Sequence, residues 1–241
     1  MRSILLVAAM ITALVALGDG LTALAAGVHG QSGSAPPEPS DFTARVDNPW
    51  FPLKPGTTYV YRGINHGQPS RDVVTVTHKT KVIEGVSCTV VQDRLYVRGQ
   101  LRERTTDWYT QDKRGNVWYF GEETAELDES GHVTSTEGTW QAGRNGGKAG
   151  IYMPAHPRVG QSGRQEFSAG HAEDQFTVVS LSARVHTAAA SSNRALLTKE
   201  FTRLEPGVLD HKYYVRGIGT VLEQTVRGGS ERNELVSVHS G

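Results

Sequence analysis

The chain has 241 residues, with 25 Lys and Arg against 25 Asp and Glu, and so carries no formal net charge. That balance removes the long-range attraction that draws a basic domain to nucleic acid, and no nucleic-acid partner is expected. One Cys excludes an internal disulfide framework and a Cys-rich metal site, while four Trp, eight Tyr and six Phe argue against wholesale disorder.

Met1 and Arg2 make a short basic start, and Ile4 to Leu17 is an apolar run of 14 residues. As a helix it would span about 21 Å at ~1.5 Å per residue, short of a hydrocarbon core of about 30 Å. Gly18-Asp19-Gly20 breaks the run, and Ala23-Leu24-Ala25 offers small residues at the −3 and −1 positions of a cleavage site. This is the layout of a secretory signal peptide over residues 1–25, and it points to a secreted, periplasmic or cell-envelope protein. The competing reading, a retained anchor, must carry Asp19 into the membrane at considerable cost. No stable membrane span is expected after processing, and no Cys near the cleavage site could take a lipid.

Residues 26–45 are mostly Gly, Ser, Pro and Ala and read as a disordered tether. A single β-domain is expected over 46–241, with order beginning near Val46. Asp47 to Leu53 combines two prolines with Trp50, Phe51 and Leu53. Proline removes ladder donors, so this segment is no central strand. It can lie across an open end of the core as a plug, or pack as a lead-in along one edge.

From Thr57 the pattern has period two, punctuated by turn residues. Strands are predicted over 57–62, 72–83, 86–97, 101–111, 117–120 and 133–140, with turns at Arg98-Gly99-Gln100, at 113–116 and at 129–132. Arg144 to Gly150 reads as a glycine-rich loop. Further strands are predicted over 164–167, 174–185, 195–204, 211–215, 220–226 and 231–238. Arg194 to Leu204 is the best helix candidate, but its Thr, Phe and Thr residues and the following Pro206 favour a strand. The expected fold is all-β: an antiparallel meander of about 10–12 strands, curved into a half-barrel, barrel or sandwich.

Three strings carry a resemblance. They are Asn48-Pro-Trp-Phe-Pro-Leu53-x-Pro55-Gly56, then Asp107-Trp-Tyr109-x-Gln111-Asp112-x-x-Gly115-Asn-Val-Trp-Tyr-Phe-Gly-Glu122, then His211-Lys-Tyr-Tyr214-x-x-Gly217-Ile-Gly219. Together they resemble an uncharacterised family of exported bacterial all-β proteins. The resemblance implies export and a β-fold over most of residues 47–238. It brings no established activity and no catalytic residue.

Candidate chemistry is sparse. Asp112 to Asn116 faintly resembles a calcium loop, but Arg114 stands where a carboxylate should be, so a hairpin turn is the better reading. Gly-x-Ser-x-Gly is absent, and Cys88 sits in an apolar alternation as a buried small hydrophobe would. His171, Glu173 and Asp174 lie within four residues, yet zinc would need a further ligand from elsewhere, and no metal or cofactor is expected.

The polar set singled out for ligand binding is Arg164, Glu166, Glu173, Asp174, Lys199, His211 and Tyr213, with Arg164 and Glu166 on one strand face and His211 and Tyr213 on another. If those faces converge they form a charged pocket; otherwise they are ion-pair ladders toward solvent. Trp108 and Trp118 supply an aromatic option, Trp118 sharing a face with Phe120. The leading expectation is an exported monomer without catalysis that binds an apolar or amphipathic small molecule, or an envelope component, in its curved sheet. One alternative is a hydrolase of an envelope polymer that uses the carboxylates near 166–174. Another is a structural surface module that binds other proteins.

Overall fold

The structure is a computed structural model and describes residues 37–241. The signal peptide and most of the tether expected from the sequence lie outside the described residues. The strands are β1 (Phe42–Thr43), β2 (Thr58–Asn65), β3 (Gln68–Ile83), β4 (Val86–Val97), β5 (Gln100–Asp112), β6 (Val117–Leu127), β7 (Val133–Ser135) and β8 (Trp140–Gln141). They continue as β9 (Lys148–Met153), β10 (Ser162–Arg164), β11 (Glu166–Phe167), β12 (Gln175–His186), β13 (Ser191–Phe201), β14 (Leu209–Val215), β15 (Gly219–Arg227) and β16 (Arg232–His239). Thirteen of these form one antiparallel path, β10-β12-β13-β14-β15-β16-β2-β3-β4-β5-β6-β9-β11. β1 adds to β5, and β7 and β8 add to β6. Among the described residues no helix is long and apolar enough to cross a membrane.

The long hairpins follow from turn chemistry. His66-Gly67, Glu84-Gly85 and Arg98-Gly99 all have positive φ at both positions, the backbone of a two-residue primed turn. These turns set Asn65 opposite Gln68, Ile83 opposite Val86 and Val97 opposite Gln100. Once register is fixed this way, alternate residues of each strand point to opposite faces.

The ladder curves until its ends meet. β10 pairs with β12, and β11 pairs with β9. Only Gln165 separates β10 from β11, so one short segment belongs to both ends of the sheet. The Gln165 amide donates to the Asp174 carbonyl at 2.8 Å on one side. On the other, a Cβ at Gly150 would meet the Arg164 carbonyl oxygen at 2.4 Å, so β9 can approach this closely only with glycine there. The result is a curved, nearly closed antiparallel barrel.

Segment 46–53 is a plug rather than an edge lead-in. Asn48 Nδ2 donates to the carbonyls of Gly115 and Pro154 at 2.9 and 3.1 Å. From the other wall, the Gly217 amide donates to the Pro49 carbonyl at 2.7 Å, and the Tyr59 hydroxyl donates to the Pro52 carbonyl at 3.1 Å. Trp50 and Leu53 are buried, and Phe51 packs on Tyr109 and Tyr152 with ring centroids 5.4 and 4.5 Å apart.

Three expectations are corrected. Structure is present before Val46: Pro39–Asp41 is a turn of 3-10 helix, and β1 lays Phe42 edge-on against Trp118 and Phe120. Lys148–Met153, partly inside the expected loop, is β9, because pairing with β6 and β11 overrides its weak local pattern. The strand count exceeds the expected 10–12, because very short strands such as β8 and β11 leave no period-two signal.

Candidate functional site

Inward-facing alternation places tyrosines and acids inside the barrel. β14 decides the pattern. Lys212 and Tyr214 are buried, whereas His211 and Tyr213 are only half-buried. Lys212 Nζ lies 2.8 Å from Glu200 Oε2 and 3.4 Å from Glu223 Oε1. Glu200 also accepts hydrogen bonds from the Thr198 hydroxyl at 2.9 Å and the Tyr214 hydroxyl at 3.1 Å. Burial opposes the ammonium, but Glu200 and Glu223 outweigh it and hold Lys212 well above the usual lysine range.

The opposite wall is acidic without a buried lysine. Asp72, Asp93, Glu103, Asp107 and Glu122 are all buried on β3 to β6. Burial is the largest influence on each and raises every one of these carboxyls. Asp72 is pushed up to about 6, and Glu103 and Glu223 to about 8. Asp72 and Asp93 are hydrogen-bonded to each other, and each carboxyl is raised chiefly by burial. Asp107 accepts from the Tyr119 hydroxyl at 2.7 Å, and Tyr119 stacks on Tyr109 at 4.7 Å.

Between the walls and the plug lies a cavity of about 50 Å³. Phe51, Pro52 and Leu53 roof it; Tyr59, Tyr61, Tyr109 and Tyr152 line it; Asp93, Asp107, Glu223 and Asn233 supply its polar groups. Among the described residues no lysine or arginine lines it. The buried Asn233 Oδ1 has no hydrogen-bond donor among the described residues. Such a site can hold an ammonium against aromatic faces and carboxyls.

The residues expected from the sequence divide between two faces. Glu166 is buried, and its Oε2 accepts from Trp140 Nε1 at 2.8 Å. Asp174 is half-buried, and its carboxyl is raised by burial and then by Glu166, so these two are neighbours. Arg164 does not share their face: it is exposed and lies over the Phe167 ring at 4.4 Å, because the chain switches partner strands at Gln165. Glu173 accepts from the Gly170 amide at 3.1 Å in its own loop. Lys199 and His211 pair across β13 and β14, on the face opposite Lys212. Tyr213 shares that outward face. Of the two arrangements open from the sequence, the faces converging into one pocket or lying apart, the structure has them apart.

Trp108 is buried under Lys81, whose Nζ sits 3.2 Å from the ring centroid. Trp118 donates from Nε1 to Asp112 Oδ2 at 2.9 Å. Asp112 also accepts from the Arg114 amide, the Asn116 amide and Asn116 Nδ2, at 2.8–2.9 Å, so its carboxylate organises the hairpin. Cys88 is buried, and burial pushes its thiol up to about 12. Among the described residues no three His, Cys, Asp or Glu side chains are grouped as a metal would require.

Sequence reasoning missed the buried acids of β3 to β6, Glu200, Glu223 and Lys212. A signal existed. Acids recur at two-residue spacing beside inward apolar residues, as in Asp72-x-Val74-x-Val76 and Asp93-x-Leu95. The usual rule that charges face solvent hid it.

No protein-family model matches the chain, and no curated protein matches it. Among solved structures it is similar to a Bacteroides fragilis protein designated as exported, with a YmcC-like fold, at 13% identity and a TM-score of 0.45, covering 79% of this chain and 99% of that one. It is also similar to a Parabacteroides distasonis protein designated as a lipoprotein, at 9% identity and a TM-score of 0.42, covering 79% of this chain and 98% of that one. Likeness at this level concerns the chain trace alone.

Proposed function

We propose that the protein is an exported, non-catalytic binding module that takes a small amphipathic ligand into the barrel beneath the plug. One observation carries this reading. The cavity joins apolar and tyrosine surfaces to the carboxyls of Asp93 and Asp107, with no lysine or arginine among the described residues of its lining, while Glu223 at its edge is already held by Lys212. A ligand with an apolar body and a cationic head satisfies both. The cavity of about 50 Å³ has room for a few water molecules. A longer ligand must displace Phe51, Pro52 and Leu53, which are held outside the sheet's continuous ladder and can move without breaking it. Export is supported by the apolar run and cleavage site in residues 1–25.

The hydrolase alternative is served less well. Glu166 and Asp174 are neighbours, but Glu166 is 1% exposed and already bonded to Trp140. If those carboxyls were catalytic, Glu166→Gln would abolish turnover while sparing thermal stability. The surface-module alternative has only scattered exposed apolar residues, of which Val179 and Leu181 on β12 are the nearest to a patch.

Native mass spectrometry of protein purified from its own envelope tests the proposal, paired with melting curves in alkyltrimethylammonium and alkyl sulfate of equal chain length. A copurified small molecule and stabilisation by the ammonium compound alone are expected. No bound mass together with no ammonium-specific shift would overturn it.

A further inference from the structure

A second concavity, of about 1030 Å³, lies outside the barrel between the outer face of β3–β6 and the segment around residues 133–145. Its floor carries an unusual pair. Arg94 and Arg104 stand directly opposite each other across β4 and β5. Like charges so placed repel, and a sheet normally avoids them. Arg94 cannot readily turn away, because its Nη1 donates to the carbonyls of Asp93 and Thr105 at 2.5 and 2.7 Å. Neither arginine forms an ion pair among the described residues.

Two further cations face the same space. Lys81 is seated over Trp108, and Arg144 is exposed on the opposite lip. The acids present offset them only in part. Glu123 acts on Lys81, Glu137 is 3.6 Å from His171, and Glu122 is buried. The remaining lining is hydroxyl and amide: Thr106, Thr136, Thr139, Gln141 and Asn145.

We propose that this groove binds a carboxylate-bearing oligosaccharide. The guanidinium pair takes the acid groups as bidentate partners, and the hydroxyl and amide side chains take the sugar hydroxyls. The repulsion between Arg94 and Arg104 is relieved when an anion lies between them. A peptide fits less well, since the groove lies on a sheet face rather than an edge and Val133 is the only large apolar side chain exposed in it. Single-stranded nucleic acid also fits less well, since it needs open aromatic faces and both Trp108 and Trp140 are buried. The site is independent of the interior cavity and stands or falls without it.

Calorimetric titration of the mature protein with hexagalacturonate, maltohexaose and a short oligo-dT tests the assignment. Hexagalacturonate is expected to bind at least about tenfold more tightly than either of the others, with affinity falling as salt rises. Arg104→Ala with Arg144→Ala should weaken that binding by at least about tenfold, whereas Arg184→Ala on β12 should leave it unchanged. Both groove arginines are exposed, so the double variant keeps the fold, and an unchanged melting temperature checks this. The proposal is overturned if hexagalacturonate does not bind, if the neutral sugar or the oligonucleotide binds equally well, or if the double variant binds normally.

Discussion

The inner and outer faces of this one sheet carry opposite classes of ionisable side chain. Inside, Asp72, Asp93, Glu103, Asp107 and Glu223 are buried with one lysine, Lys212. Outside, over β3–β6, Lys81, Arg94, Arg104 and Arg144 share a groove with fewer acids. The chain as a whole is neutral, 25 basic against 25 acidic residues. Neutral composition here is the average of an acid-rich inner face and a base-rich outer groove on opposite sides of one sheet. Each face wants a counter-charge: the inner face finds one in Lys212 and in bound protons, while the outer groove finds only part of one in Glu123 and Glu137.

The sharpest way to break this contrast is to remove the interior cation. Lys212→Met leaves Glu200 and Glu223 buried without their partner and should cost about 3–5 kcal/mol in urea unfolding. Adding Glu200→Gln and Glu223→Gln should recover part of that loss. A cost below about 1 kcal/mol would show that the interior does not depend on Lys212.

A smaller effect is expected from Tyr119→Phe, which removes the 2.7 Å hydrogen bond to buried Asp107. The expected loss is about 1–3 kcal/mol, read by chemical denaturation. No loss would mean that the hydroxyl leaves no unmet need behind it.

Third comes pH. Glu103 and Glu223 sit at about 8 in the folded protein, above an ordinary value of about 4.3 in the unfolded chain. The folded state therefore holds these protons more tightly. The stability they contribute is fully present below about pH 4 and is lost as pH rises toward 8. Melting temperature should fall between about pH 5 and 9, and Glu103→Gln, which removes one titrating group, should flatten the curve. A Glu103→Gln curve as steep as that of the unaltered protein would contradict this.

The smallest effect belongs to the outer face. Arg104→Ala should stabilise the ligand-free protein by about 0.2–1 kcal/mol by ending its repulsion with Arg94. A destabilisation of similar size would mean that the arginine stem contributes more by packing than its charge costs.

The strands were legible where turn chemistry and alternation agreed. Val86–Val97 matches its predicted bounds to the residue, because Glu84-Gly85 and Arg98-Gly99 bracket it and its apolar alternation is strong. The plug was legible as one of two possibilities, because Pro49 and Pro52 forbid a central strand without saying which surface Trp50 will cover. β9 was not legible, since its identity comes from β6 and β11 rather than from its own six residues.

The site was legible in period but not in phase. His211 and Tyr213 do share a face, but it is the outer one. Local sequence cannot show that Lys212 is the inward residue, because that depends on Glu200 and Glu223 from neighbouring strands. The same holds for Arg94 and Arg104: their opposition follows from hairpin register, which no single strand encodes.

The most direct test of the central claim is infrared titration of the protein's carboxylic-acid carbonyl band, in the unaltered chain and in the Glu103→Gln and Glu223→Gln variants. The account predicts that protonated carboxyl absorption survives at about pH 6, disappears between about pH 6 and 9, and loses a separate portion in each variant. Complete ionisation of all carboxyls by about pH 5 would contradict it.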